Sequence, residues 1–228
     1  MAILYHYSFC PDSRFVRLVM SEMGLEPQLE EEKPWERRSD FLRMNPAGTT
    51  PVLVIDGLVI PGASVIAEHL DESRGLGGAR RLLPADMAAR VEVRRLVDWF
   101  LRKLNDEVTA YLVIEKIHKR FMSPAEGGGP PDMSAIRAAR TNVRYHLRYI
   151  GYLAATRNWL AGDDLTYADL AAAAHLSCVD YLGDVPWDEN EAAKQWYARV
   201  KSRPSFRALL ADRAPGMTPA RHYADLDF

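Results

Sequence analysis

Along residues 1–73 the spacing of apolar positions changes every few residues, as it does where short strands and helices alternate. Residues 3–7 form a β-rich run. Residues 13–23 place Phe15, Leu18, Val19 and Met23 on one helical face, and Gly24 stops that helix as a C-cap. A second strand is predicted over 28–32. Residues 51–55 and 58–60 predict a hairpin turning at Asp56-Gly57. A helix with Ser64 as its N-cap follows and runs to residue 72.

From residue 74 the pattern changes. Residues 74–85 are rich in Gly and Arg with no apolar period and read as a linker. Beyond them strand signals vanish. A long helix is predicted over 86–121, carrying Leu96, Trp99, Phe100, Leu104 and Val108 among charged positions, and the glycine-rich stretch 124–131 is a loop. Further helices are predicted over 134–156, 166–181, 191–202 and, after Pro204, 205–211. Residues 212–228 form a tail that no period organises. The expected organisation is therefore an α/β unit (1–73), a linker (74–85), an all-helical unit (86–211) and a tail (212–228). The strongest local signal is Thr166-Tyr167-Ala168-Asp169. A threonine N-cap and an acid three places on satisfy each other's orphan amides, with Leu165 as the apolar staple.

Composition narrows the function classes. The chain has 228 residues, 48% hydrophobic and 26% charged, with a net charge of −2. That balance belongs to a folded protein and argues against a nucleic-acid binder. No run is long and apolar enough to insert in a membrane, and the N-terminus lacks the pattern of a signal peptide. Cys10 and Cys178 are the two cysteines, far apart and in unlike contexts, so no disulfide framework is implied and a cytoplasmic location is expected. Cys178 sits on an apolar helical face and reads as core. The six histidines show no metal-like spacing, so no metal site is expected. Gly127-Gly128-Gly129 follow no strand and are not a phosphate loop.

The candidate chemistry lies at Cys10, immediately before an amphipathic helix. A helix N-terminus lowers a thiol's pKa, and Arg14 and Arg17 lie one and two turns on. Asp12 opposes them, because a nearby anion disfavours the thiolate. Cys10-Pro11 ahead of Val16-Arg17, Thr50-Pro51-Val52-Leu53, Ile66-Ala67-Glu68-His69-Leu70, the Thr166–Asp169 box, Trp196-Tyr197 and Arg203-Pro204-Ser205-Phe206 stand in one order along the chain. Together they resemble the glutathione S-transferase superfamily over almost its whole length. The resemblance implies a thioredoxin-like N-terminal domain, an all-helical C-terminal domain, a cis Pro51 and a homodimer. It places Cys10 at the superfamily's catalytic Ser or Cys, and a glutathione site at Thr50, Pro51, Val52, Gly62, Ala63 and Ser64.

That site is degraded. The resemblance leads one to expect an acidic residue at position 62 and a serine at 63 to grip the γ-glutamyl group, where this chain has Gly62 and Ala63. The chain also ends in interleaved apolar and acidic residues, Tyr223, Asp225, Leu226, Asp227 and Phe228. Such a segment can dock on a partner or pack back over its own domain. Within the superfamily these features resemble the FtsZ-binding, transferase-like proteins of alphaproteobacteria. That likeness implies a non-enzymatic, dimeric regulator of cell division that binds FtsZ polymers, needs no cofactor and is recruited to the division site. Trp35, in a charged loop, is then either a partner anchor or a lid. The enzyme alternative is a glutathione-dependent transferase or thiol transferase with Cys10 as nucleophile.

Overall fold

The protein is represented by a computed structural model that describes residues 2–74 and 81–226. Four strands, β1 (Ala2–His6), β2 (Gln28–Glu31), β3 (Val52–Ile55) and β4 (Leu58–Pro61), form one sheet in the order β2-β1-β3-β4. β1 and β2 are parallel, with Leu4 opposite Leu29, while β3 runs antiparallel to both β1 and β4. The β3–β4 turn has positive φ at both Asp56 and Gly57 (52° and 81°), the primed conformation an Asp-Gly pair favours. The parallel β1–β2 pair needs a crossover, and α1 (Pro11–Glu22) supplies it. α2 (Ser39–Met44) and α3 (Ala63–Arg74) complete this unit, and the Thr50-Pro51 peptide is cis.

The rest is helical. The helix predicted over 86–121 is three consecutive segments: α4 (Met87–Asp98), a π-helical stretch (Trp99–Thr109) and α5 (Ala110–Lys116). α6 (Met133–Thr156), α7 (Tyr167–Tyr181), α8 (Glu191–Lys201) and α9 (Arg207–Ala211) follow. All fifteen residues of α7 are buried. Its Ala171–Ala174 run lets α1, α4, the π-helical stretch and α8 approach it closely, so one apolar core joins the sheet unit to the helices. The capping box forms as expected: Thr166 Oγ1 accepts from the Ala168 amide, and Asp169 accepts from the Thr166 amide at 3.0 Å. Asp169 also accepts from the Leu160 amide and the Trp196 indole, so it ties a loop and α8 to the start of α7.

One sequence expectation needs correction, and one open alternative is resolved for the described residues. Ser64 is not a helix N-cap. α3 begins one residue earlier at Ala63, preceded by Gly62 in the left-handed region (φ 92°), and Ser64 is an exposed residue of the first turn. The described part of the tail is ordered against the body. Tyr181 Oη donates to the Met217 carbonyl and accepts from the Ala214 amide, and the Ala220 amide donates to the Tyr181 carbonyl. Lys201 Nζ donates to the His222 carbonyl, while His222 Nε2 lies 2.8 Å from the buried Asp180 carboxylate.

Candidate functional site

Where the β1–α1 turn, the loop before β3, the π-helical stretch and α5 converge there is a cleft of about 290 Å³. Tyr7, Cys10, Asp12, Thr50, Asn105 and His118 are among its lining residues. Cys10 occupies the N-cap position of α1, with Pro11 at the first helical position where a missing amide costs nothing. Its side chain makes no capping bond; Sγ donates instead to the Thr50 carbonyl at 3.5 Å. Burial pushes the thiol pKa up, and Asp12 adds to the rise; the polar groups of Ser13 and Thr50 nearby act the other way and do not offset it. The helix N-terminus therefore does not produce a ready thiolate.

Arg14 is the reason one expected aid fails. It does not face the thiol. Its guanidinium is fully buried on the opposite flank, where Nε donates to the Ser8 carbonyl (2.7 Å) and Nη1 to Ser177 Oγ (2.8 Å) and Tyr223 Oη (3.1 Å). Nη2 reaches Asp212, which Arg17 also holds at 2.7 Å. Arg14 thus ties both Asp212, at the start of the tail, and Tyr223 to α1, and Arg17 adds a second hold on Asp212.

The mouth of the cleft is aromatic. Tyr7 meets Trp35 edge-on at 5.1 Å and His118 at 5.2 Å, and Trp35 lies 4.9 Å from His118. Burial pushes His118 down to about 4, so its ring is neutral at physiological pH. Trp35 is half-buried in this trio and links the loop after β2 to the end of α5.

The remaining expected site residues are dispersed. Thr50 lines the cleft, and Pro51 and Val52 are buried beneath it. Ala63 is buried, Gly62 is partly exposed, and Ser64 lines a different cleft with Glu68, Arg94 and Tyr167. Of the tail residues expected to meet a partner, Tyr223 is excluded. It is fully buried, donates to the Leu209 carbonyl and packs edge-on against Tyr181. Asp225 and Leu226 are exposed, whereas Asp227 and Phe228 lie outside the described residues. Sequence reasoning missed the pairing of Asp12 with His175, whose Nε2 lies 3.7 Å from Asp12 Oδ1. It also missed the aromatic trio, because no local pattern relates Tyr7, Trp35 and His118.

The state of Cys10 is directly measurable. The pH dependence of its alkylation rate should give an apparent pKa at or above the roughly 8.5 of a free thiol. A midpoint below about 7 would restore Cys10 as a nucleophile.

The sequence and the fold have counterparts. A family model for the glutathione S-transferase N-terminal domain matches residues 9–73, and one for the C-terminal domain matches residues 113–204. FtsZ-localized protein A of Caulobacter vibrioides is 46% identical over 229 residues, covering 99% of this chain and 97% of that protein. The crystal structure of a Sinorhizobium meliloti protein described as a glutathione S-transferase has 53% identity and a TM-score of 0.97, covering 100% of both chains. The structure of FzlA from C. crescentus has 45% identity and a TM-score of 0.92, covering 100% of this chain and 99% of that one.

Proposed function

Because this chain belongs to the glutathione S-transferase family, we propose that it is a member turned from catalysis to cell division, a non-enzymatic regulator that binds FtsZ polymers. The observation that carries the reading is the end-to-end match with FtsZ-localized protein A, which runs through the helical domain and the tail. The chemistry of the cleft supports it. Gly62 and Ala63 offer no side-chain hydrogen bond to a γ-glutamyl group, Ser64 lies in another cleft, and the Cys10 thiol is held protonated by burial and by Asp12. The protein acts as a homodimer, consistent with the exposed apolar side chains Val65, Met87 and Val91 on α3 and α4. It is cytoplasmic and is drawn to the division site by its polymer partner. Asp225, Leu226, Asp227 and Phe228 form the contacting end, with Trp35 as a second anchor or a lid.

A second reading, a glutathione-dependent thiol transferase, draws on the partly exposed Cys10 beside the cleft. Glutathione titration calorimetry separates the two. Each lost hydrogen bond to a charged group is worth about 1.5–3 kcal/mol, so losing two weakens binding by roughly two orders of magnitude or more. No saturation is expected at micromolar glutathione, and a micromolar dissociation constant would overturn the non-enzymatic assignment. The restoring double change Gly62→Glu with Ala63→Ser should tighten binding. A Cβ at Gly62 has room, its nearest neighbour being Val65 Cγ2 at 3.9 Å. The backbone there stays left-handed, so the variant should also lose about 1–3 kcal/mol of stability.

A further inference from the structure

The turn that carries Cys10 and the docked tail are held by the same two side chains. Ser8, Phe9 and Cys10 join β1 to α1, and the Cys10 amide closes the turn by donating to the Tyr7 carbonyl at 2.9 Å. Arg14 grips this turn. Its Nε donates to the Ser8 carbonyl, and its guanidinium carbon lies 4.6 Å from the centre of the Phe9 ring. Tyr181, at the end of α7, is the second support, with its ring 4.5 Å from that of Phe9. The tail fixes both. Tyr223 Oη accepts from Arg14, and the Tyr223 ring stands edge-on to Tyr181 at 5.2 Å. The Ala214 amide and the Met217 carbonyl clasp the Tyr181 hydroxyl, and the Ala220 amide donates to the Tyr181 carbonyl.

The tail also meets the turn directly. Arg213, Ala214 and Pro215 line a cleft of about 230 Å³ together with Ser8 and Phe9. Tyr7 borders both this cleft and the one beside Cys10. Apart from the main core, one small apolar cluster joins Tyr7, Phe9, Tyr181, Ala214 and Tyr223, with Cys10 packed against it. Such packed units rearrange between discrete states and do not deform continuously. The tail is the part able to leave. Residues 212–226 contain no helix or strand and are fastened by turn and side-chain hydrogen bonds. Segments near a chain end held in this way open at lower free energy than the core.

We propose that the tail is a latch on the β1–α1 turn. Seated, it fixes Arg14 and Tyr181, which hold Phe9 in place and the Cys10 thiol against the Thr50 carbonyl. Unseated, it frees both supports, the turn opens, and Cys10 becomes accessible to an electrophile. A partner that draws the tail from its seat therefore alters the Cys10 cleft in the same step. The latch is made by residues 213–223 and stands whether or not the end of the chain binds FtsZ polymers.

The test is the rate of iodoacetamide alkylation on the full chain, in which the Cys10 thiolate displaces iodide. Mass spectrometry of the Cys10 peptide keeps Cys178 out of the reading. Where opening and closing are fast, the rate follows the population of the open form, and so the stability of tail docking. Tyr223→Phe loses the hydroxyl between Arg14 and the Leu209 carbonyl but keeps the ring. It should speed alkylation about threefold to tenfold, the factor of one lost hydrogen bond. Tyr223→Ala also takes the ring from Tyr181 and should speed it by more than about tenfold. Both variants should expose the segment beyond Asp212 to limited proteolysis. Leu153→Ala, a truncation in the main core, lowers global stability and should leave the rate within about twofold of wild type. Melting curves show which variants fold; if Tyr223→Ala does not, Tyr223→Phe decides. An unchanged rate in a folded Tyr223→Phe variant, acceleration while the tail stays protected from protease, or equal acceleration by Leu153→Ala would overturn the proposal.

Discussion

Arg14→Met should lower the stability of the protein by about 3–5 kcal/mol, the cost of breaking a buried ion pair by removing one partner. Burial disfavours the Arg14 charge, yet the surrounding Tyr223 and Asp212 oxygens outweigh it and hold the group protonated. Methionine fills most of the volume but offers no donor. The Ser8 carbonyl loses its guanidinium donor, and Ser177 Oγ and Tyr223 Oη each lose one of two partners. Asp212 keeps Arg17, which limits the damage at that end. For a chain of this size the loss corresponds to a fall in melting temperature of about 10 °C. Because Arg14 grips both Asp212 and Tyr223, the residues between them should also become sensitive to limited proteolysis. A melting temperature within a degree or two of wild type would mean that the tail docks without this clamp.

Asp227→Lys should weaken association with FtsZ polymers by an order of magnitude or more while leaving the melting temperature nearly unchanged. Two opposite charges side by side at an interface become two like ones, a change that costs several kcal/mol where the groups meet a partner of complementary charge. A surface substitution away from special features shifts stability by under about 0.5 kcal/mol, so binding and folding should separate cleanly. The described residues point the same way. The tail is fastened at Ala214, His222 and Tyr223, and Asp225 and Leu226 beside these anchors are exposed. Co-sedimentation with assembled polymer measures the effect. Unchanged pelleting, or loss of fold together with loss of binding, would remove the tail from the interface.

Much of the fold was legible because its signals are local. The Asp-Gly turn, Gly24 closing α1 and the Thr166–Asp169 box each depend on residues a few positions apart, and each forms as its sequence requires. The π-helical stretch left no mark, since its residues carry the same apolar spacing as an ordinary helix. Ser64 was misplaced because the left-handed Gly62 lets α3 begin one residue sooner. Arg14 was misread for a physical reason. Four residues beyond Cys10, it shares a helical face with the thiol by periodicity, but its long side chain reaches partners 163 and 209 residues away. Such contacts, like that between Asp12 and His175, exist only once α7 has packed on α1 and the tail has folded back. The loss of polar side chains at positions 62 and 63, by contrast, is written in the sequence itself.

The central claim is that this transferase fold acts by binding FtsZ polymers and not through the thiol of Cys10. Its most direct test is co-sedimentation of the wild type and of Cys10→Ser with FtsZ assembled in the absence of glutathione. Both proteins should pellet with polymer, to the same extent, and stay in solution without it. A wild type left in the supernatant, or a Cys10→Ser variant that folds but no longer pellets, would contradict the account.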